Sequence, residues 1–172
     1  MKKTKQVTYY LILFFSLLSF SMACHNKEKT TTTDTAGILT GPIIEQELLN
    51  LSPAYTREKN AYRPDSVTIS FLQKIDSDIN ILVFLGTWCS DCQRELPRFL
   101  KIVEAMKNNH FTCQLIGVDR SKQDPQGLAE QYQIEFVPTF IVQKNGRELG
   151  RIVEAPMLSL EQDLQEILSV IF

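Results

Sequence analysis

Cys89 and Cys92 stand two residues apart in the stretch Gly86-Thr87-Trp88-Cys89-Ser90-Asp91-Cys92-Gln93-Arg94-Glu95-Leu96-Pro97. Two thiols at that spacing serve three chemistries: half of a zinc site, a structural disulfide, or a pair that exchanges two electrons with another disulfide. Zinc requires two further ligands at a workable spacing. The remaining cysteines and histidines are Cys24, His25, His110 and Cys113. They form no second knuckle, so no metal is expected. A permanent bridge suits an exported chain, but one closing so short a loop constrains little of the unfolded state. Exchange is favoured if the pair opens a helix. There, unpaired amides and the macrodipole stabilise the first thiolate, and the second thiol can resolve a mixed disulfide from within.

The flanking residues supply that setting. Ile79 to Gly86 is a near-continuous apolar run of strand length, as in a central strand buried on both faces. After the cysteines, Leu96, Phe99, Leu100, Val103 and Met106 recur at helical steps. Phe111 to Asp119 reads as a second strand, and Gly127 to Tyr132 as a short helix. Thr139 to Gln143 and Arg147 to Ala155 meet at Asn145-Gly146, which predicts a hairpin. Leu158 to Ile171 predicts an amphipathic closing helix. The order strand, helix, strand, helix, strand, strand, helix implies an α/β unit, with parallel strands in its first half and an antiparallel hairpin in its second. Upstream, Ile44, Leu48 and Leu51 predict one helix. Pro64 with Asp65 or Ser66 opens another carrying Ile69, Leu72 and Ile75, although Val67, Ile69 and Phe71 also alternate as in a strand. Residues 43–78 are thus read as an N-terminal helical extension to a domain over 79–172.

The first residues have a different character. Lys2, Lys3 and Lys5 precede an apolar run from Tyr9 to Phe20, followed by Ser21-Met22-Ala23-Cys24. A basic start, a short apolar stretch and small residues at its exit make an export signal, and the run is shorter than a membrane-spanning helix requires. The sequence His25 to Thr35 is wholly polar, so residues 24–42 are expected to form a flexible tether. Taking Lys2, Lys3 and Lys5 from the 18 basic residues leaves 15 against 20 acidic ones. A mildly acidic exported chain excludes nucleic acid as an expected partner, and a monomer is expected.

The strand, the Trp88-Cys89-Ser90-Asp91-Cys92 turn, the helix, and Val137-Pro138-Thr139-Phe140 before a hairpin together resemble thioredoxin. Cys92, Glu95 and Pro97 complete a C-x-x-C-x-x-E-x-P pattern similar to that of the TlpA/ResA-type membrane-tethered oxidoreductases. The stretches Gly86-Thr87-Trp88-Cys89, Val118-Asp119-Arg120 and Gly150-Arg151-Ile152-Val153-Glu154 resemble thioredoxin-like lipoproteins of Bacteroidetes-type bacteria. Ala23-Cys24 resembles a lipobox, with Ser21 in place of its usual leucine. The resemblance implies a thioredoxin fold with no cofactor. Cys89 would be the attacking thiol and Cys92 the resolving thiol. Trp88, Val137 and Pro138 would form the substrate-binding surface. Pro138 would be in the cis form, with the Val137 amide and carbonyl offered to an extended peptide. Cys24 would carry the lipid. Where thioredoxin has a buried aspartate, six residues before the first cysteine, this chain has Val83. Glu95 is therefore a candidate to assist proton removal from Cys92, or else a solvent-facing partner of Arg98. Asp91 either caps the helix or raises the neighbouring thiol pKa, and the latter would favour a reductase.

The function so implied is reduction of protein disulfides outside the cytoplasm by a lipid-anchored protein, with electrons arriving from a membrane donor. A peptide-binding module with little redox turnover is the alternative. A peroxidase of the peroxiredoxin type is not expected, since position 86 is glycine where such an enzyme has threonine.

Overall fold

A computed structural model of the chain describes residues 31–33 and 37–171. The expected export signal over residues 1–23 and Cys24 lie outside the described residues. The strands are β1 (Thr32–Thr33), β2 (Leu39–Ile43), β3 (Ile79–Leu85), β4 (Phe111–Gly117), β5 (Thr139–Lys144) and β6 (Arg147–Val153). The helices are α1 (Glu45–Asn50), α2 (Pro53–Ala61), α3 (Ser66–Leu72), α4 (Ser90–Met106), α5 (Leu128–Gln131) and α6 (Leu160–Leu168), and a 3-10 turn follows at Ser169–Ile171. None of the described helices is long and apolar enough to cross a membrane.

The six strands form one sheet in the order β1-β2-β4-β3-β5-β6. β3 lies at its centre, parallel to β4 with Val83 opposite Leu115, and antiparallel to β5 with Val83 opposite Phe140. Central placement explains the unbroken apolar run, since six of its seven residues are buried. β5 and β6 form the hairpin, and both Asn145 (φ 52°) and Gly146 (φ 74°) take the left-handed geometry that a two-residue turn of this hand requires. The mixed sheet of a thioredoxin fold, flanked by helices, is therefore what the chain adopts.

Each helix of the N-terminal region starts on a local signal. Glu47 accepts a hydrogen bond from the Ile44 amide at 2.9 Å. Ser52 accepts one from Ala54, ahead of Pro53 at the first helical position. Asp65 accepts one from Thr68 at 2.7 Å. This last cap decides the earlier ambiguity in favour of a helix: Ile69, Leu72 and Ile75 are buried while Val67 faces solvent.

Two expectations are corrected. The sequence predicts a tether over residues 24–42, yet Leu39–Ile43 is a strand pairing with β4, Gly41 opposite Gly117 and Ile43 opposite Leu115. β1 in turn pairs with β2. Gly117 permits this approach, because a Cβ there would lie 2.4 Å from the Leu39 carbonyl oxygen. The region after it also holds a helix the reading lacked, α2, whose polar sequence shows little apolar periodicity. α2 packs along α4, and α3 packs on α4 and α6, so this region is built into the domain.

Candidate active site

β3 ends at Leu85, and the chain turns through Gly86, Thr87 and Trp88 into α4. The Cys89 amide donates to the Gly86 carbonyl at 2.9 Å. Cys89 is the N-cap of α4, and Cys92 lies in its first turn. Both are free thiols, Cys89 half-buried and Cys92 fully buried. The Gly86 amide donates to Cys92 Sγ at 3.3 Å, and Cys89 Sγ donates to the Val137 carbonyl at 3.1 Å. The Val137–Pro138 peptide is cis. A buried thiol beneath an accessible one at a helix start is the asymmetry that a two-step exchange requires.

Burial pushes the Cys92 thiol well above its ordinary value. The Gly86 amide opposes this rise, while the neighbouring Cys89 and Asp91 add to it. Asp91 makes the smallest of these contributions. Its carboxylate lies 2.8 Å from Arg94 Nη1, so its charge is largely answered. The tuning ascribed in the sequence to Asp91 is therefore done chiefly by desolvation.

The Trp88 indole lies across the turn, its Nε1 donating to the Val118 carbonyl at 3.2 Å. A Cβ on Gly86 would meet the indole at 2.6 Å, so the glycine at 86 has a packing reason. The Arg120 guanidinium stands 5.2 Å and the Lys122 ammonium 6.0 Å from the indole centroid. Val137 departs from expectation. The residue is buried, and in the dithiol its carbonyl is occupied by Cys89 rather than presented to a peptide.

Glu95 is not solvent-facing: it is 3% exposed. Its carboxylate pairs with Arg94 Nε at 2.5 Å and more loosely with Arg98 Nη1 at 3.6 Å. Of the two alternatives for Glu95, the solvent-facing one is excluded by this burial, although the pairing with Arg98 that went with it is present. Val83, at the position of the thioredoxin aspartate, is buried in β3. Cys113 packs half-buried among apolar residues, and burial raises its thiol to about 12. Among the described residues no cluster of three His, Cys, Asp or Glu side chains is placed to hold a metal ion.

The sequence reading missed Tyr55. It projects from α2 into the core, is 3% exposed, and has the one buried side-chain polar atom without a hydrogen-bond partner among the described residues. A cleft of about 340 Å³ brings Tyr55, Ser52, Thr87, Trp88, Gln93 and Arg120 together. Its signal was faint: Tyr55 and Tyr62 are seven apart in a polar stretch, a spacing that places two residues on one helix face.

The model of the thioredoxin family matches residues 64–166. The chain belongs to the thioredoxin family. Thioredoxin Y, a chloroplastic protein of Oryza sativa subsp. japonica, is 32% identical over 100 residues, which cover 58% of this chain and 56% of that protein. This thioredoxin-family chain thus spans just over half the length of that relative. Among solved structures, an HIV epitope scaffold aligns with a TM-score of 0.59 at 18% identity, over 73% of this chain and 92% of the scaffold. A Pseudomonas aeruginosa protein of unknown function aligns with a TM-score of 0.51 at 22% identity, over 74% of this chain and 75% of its own. These two similarities speak for the fold alone. The family match begins at residue 64, so β1, β2, α1, α2 and Tyr55 precede it.

Proposed function

We propose that this thioredoxin-family chain is a thiol–disulfide oxidoreductase that reduces protein disulfides outside the cytoplasm, tethered by a lipid on Cys24. The observation that carries the redox part is the dithiol itself: Cys89 accessible at the start of α4, with Cys92 buried beneath it. The Cys89 thiolate attacks a substrate disulfide. The substrate S–S bond breaks, a mixed disulfide forms, and one substrate sulfur leaves and takes a proton. Cys92 then loses its proton and attacks the Cys89 sulfur. The Cys89–Cys92 disulfide forms, and the substrate departs as a dithiol. Glu95, three residues from Cys92 along α4, supports this second proton transfer. Trp88 and the Val137-Pro138 segment form the substrate surface, with the Val137 carbonyl becoming available once Cys89 is engaged.

Each cycle oxidises the protein by two electrons, so a donor must restore the dithiol. Outside the cytoplasm no soluble thiol pool does this reliably, which points to a membrane electron donor. The basic N-terminus, its apolar run and Ala23-Cys24 support export and lipidation. The matched region itself is the thioredoxin domain, and the preceding helices belong to the same working unit.

Equilibration of the Cys89–Cys92 pair against glutathione and dithiothreitol mixtures tests the direction of exchange. A strongly negative potential, near that of thioredoxin at about −270 mV, is the expected result. A markedly oxidising value removes the reductase reading, and a pair that never cycles favours a peptide-binding module instead. For the anchor, Cys24→Ala in a bacterial host is expected to abolish fatty-acid incorporation and release the protein from the membrane fraction. Unchanged lipid labelling overturns it.

A further inference from the structure

The cleft of about 340 Å³ beside the active-site turn is lined by an unequal stock of hydrogen-bonding groups. Two of its acceptors are taken: Ser52 Oγ receives the Ala54 amide at 3.2 Å, and the Thr87 carbonyl receives the Gln93 side-chain amide at 3.4 Å. Its donors are not matched in the same way. Arg120 brings its guanidinium N–H groups to the cleft, and Tyr55 lines it with a buried hydroxyl that has no partner. We propose that this cleft is a specificity subsite for a side-chain carboxylate of the disulfide substrate, with Arg120 as its anion anchor and Lys122 in support. The proposal rests on the oxidoreductase reading above and narrows its substrates to polypeptides that carry an acidic residue near the target cysteine.

The charges around Trp88 carry the argument. The Arg120 guanidinium and the Lys122 ammonium stand 5.2 Å and 6.0 Å from the centroid of the same indole. Neither forms an ion pair among the described residues. The carboxylates of their own loop are committed to its backbone. Asp119 accepts from the Ser121 and Gln123 amides at 2.8 and 2.9 Å, and Asp124 from the Gln126 and Ala129 amides at 2.9 and 2.7 Å. On α4, Asp91 pairs with Arg94, and Glu95 with Arg94 and Arg98. Two like charges on one ring repel each other. Lys122 moreover keeps its place with a left-handed backbone, φ 58°, that residues with a side chain adopt uncommonly. A carboxylate docked beside the two cations offsets their repulsion and supplies the acceptors they lack. A guanidinium held over an indole can still bind such a group at its N–H edge. The whole chain has 18 basic against 20 acidic residues, so this attraction for an acid is a local property of the cleft.

The placement suits a neighbour of the target cysteine and not the cysteine itself. Neither Cys89 nor Cys92 lines the cleft, whereas Thr87 and Trp88, the two residues before Cys89, do. An extended substrate advances about 3.3 Å per residue, so a side chain about two positions from the cysteine held at Cys89 spans the indole. Arg120 acts on the choice of substrate and takes no part in the exchange of sulfur bonds.

The test uses the full chain and peptides with a single cysteine, each capped as a disulfide with an aromatic thiol that colours on release. The peptides differ only in carrying Glu or Gln at one position, about one to three residues to either side of the cysteine. Attack by the Cys89 thiolate breaks the capping S–S bond, joins the peptide sulfur to Cys89 and expels the coloured thiolate. The expected result is a Glu-to-Gln rate ratio on the order of ten at the best position. The ratio should fall toward one in Arg120→Gln and below one in Arg120→Glu. Each ratio is taken within one protein, so a general disturbance of the fold slows both peptides and leaves it unchanged. Trp88 is the chain's one tryptophan, so in Cys89→Ser its fluorescence reads docking without exchange, and the Glu peptide should shift it at lower concentration than the Gln peptide. A ratio near one at every position in the wild-type chain overturns the proposal, and so does a ratio undiminished in Arg120→Gln. If the wild-type chain releases no colour from any peptide while the fluorescence still prefers Glu, the oxidoreductase reading fails and the carboxylate site stands. With no colour and no such preference, both fall.

Discussion

Replacing Cys92 with serine is expected to convert the protein into a trap: a disulfide substrate becomes bound through Cys89 and is not released. Replacing Cys89 with serine is expected to abolish both turnover and trapping, by roughly three orders of magnitude or more, as when a covalent nucleophile is removed. The asymmetry follows from the placement of the two sulfurs. Cys89 caps α4 with its side chain partly open to solvent, where a substrate disulfide can reach it. Cys92 is closed off, and burial holds it in the thiol form until an adjacent mixed disulfide gives it a target. Serine at 92 leaves that mixed disulfide without its resolving partner. Mass spectrometry of the intact adduct, without reductant, reads the outcome. Cys113 serves as an internal control, because burial raises it to about 12 and it should remain unmodified at neutral pH. A substrate captured by Cys92 in the Cys89→Ser variant would reverse the assignment of the two roles.

The parts of the site that could be read from the sequence are those close together in the chain. Trp88, Cys89, Cys92 and Glu95 lie within eight consecutive residues, and their placement follows from one strand ending and one helix beginning. Pro138 was legible because the hairpin after it gives it a position in the sheet. Features that depend on chain reversal over long distances were not legible. Leu39-Thr40-Gly41-Pro42-Ile43 carries a Gly-Pro pair that punctuates it like a loop, yet it becomes a strand because β4 offers an edge and Gly117 admits its backbone. The polar sequence of α2 says nothing of the surface it covers. Tyr55 acquires meaning only when α2 is laid on α4, where a hydroxyl that would be ordinary in solvent becomes a buried orphan. The exposure of Glu95 stays open in the sequence for the same reason. One neighbour on its own helix was visible in the sequence, but the elements that cover that face were not.

The second large effect is on stability, at a residue far from the cysteines. Glu161 of α6 is 2% exposed and accepts two hydrogen bonds from the N-terminal region: the Tyr62 hydroxyl at 2.9 Å and the Asp65 amide at 3.0 Å. Tyr62 ends α2 and Asp65 caps α3, so one carboxylate fixes the junction between those helices to the last helix of the domain. Arg98 of α4 adds to the junction, its guanidinium 5.6 Å from the centre of the Tyr62 ring and its Nε 2.9 Å from Glu58. Glu161→Ala removes the acceptor and leaves two donors facing a void. Two charge-assisted bonds lost from a buried site cost about 3 kcal/mol. For a chain of this size that corresponds to a fall in melting temperature on the order of 10 °C. Glu161→Gln retains an acceptor oxygen and is expected to cost less than half as much. The pH dependence has a definite sign. Burial first, and then the bond to Glu161, push the Tyr62 hydroxyl above its ordinary value of 10.0. The Tyr62 contribution is therefore complete below about pH 10 and is lost only as the pH rises through the raised value. Thermal melts of the two variants, with hydrogen exchange across residues 53–72, distinguish a local junction from a general core defect. A local junction predicts that protection in α2 and α3 falls first while β3 and β5 retain theirs. A Glu161→Ala protein with wild-type stability would show that the N-terminal helices are held by apolar packing alone.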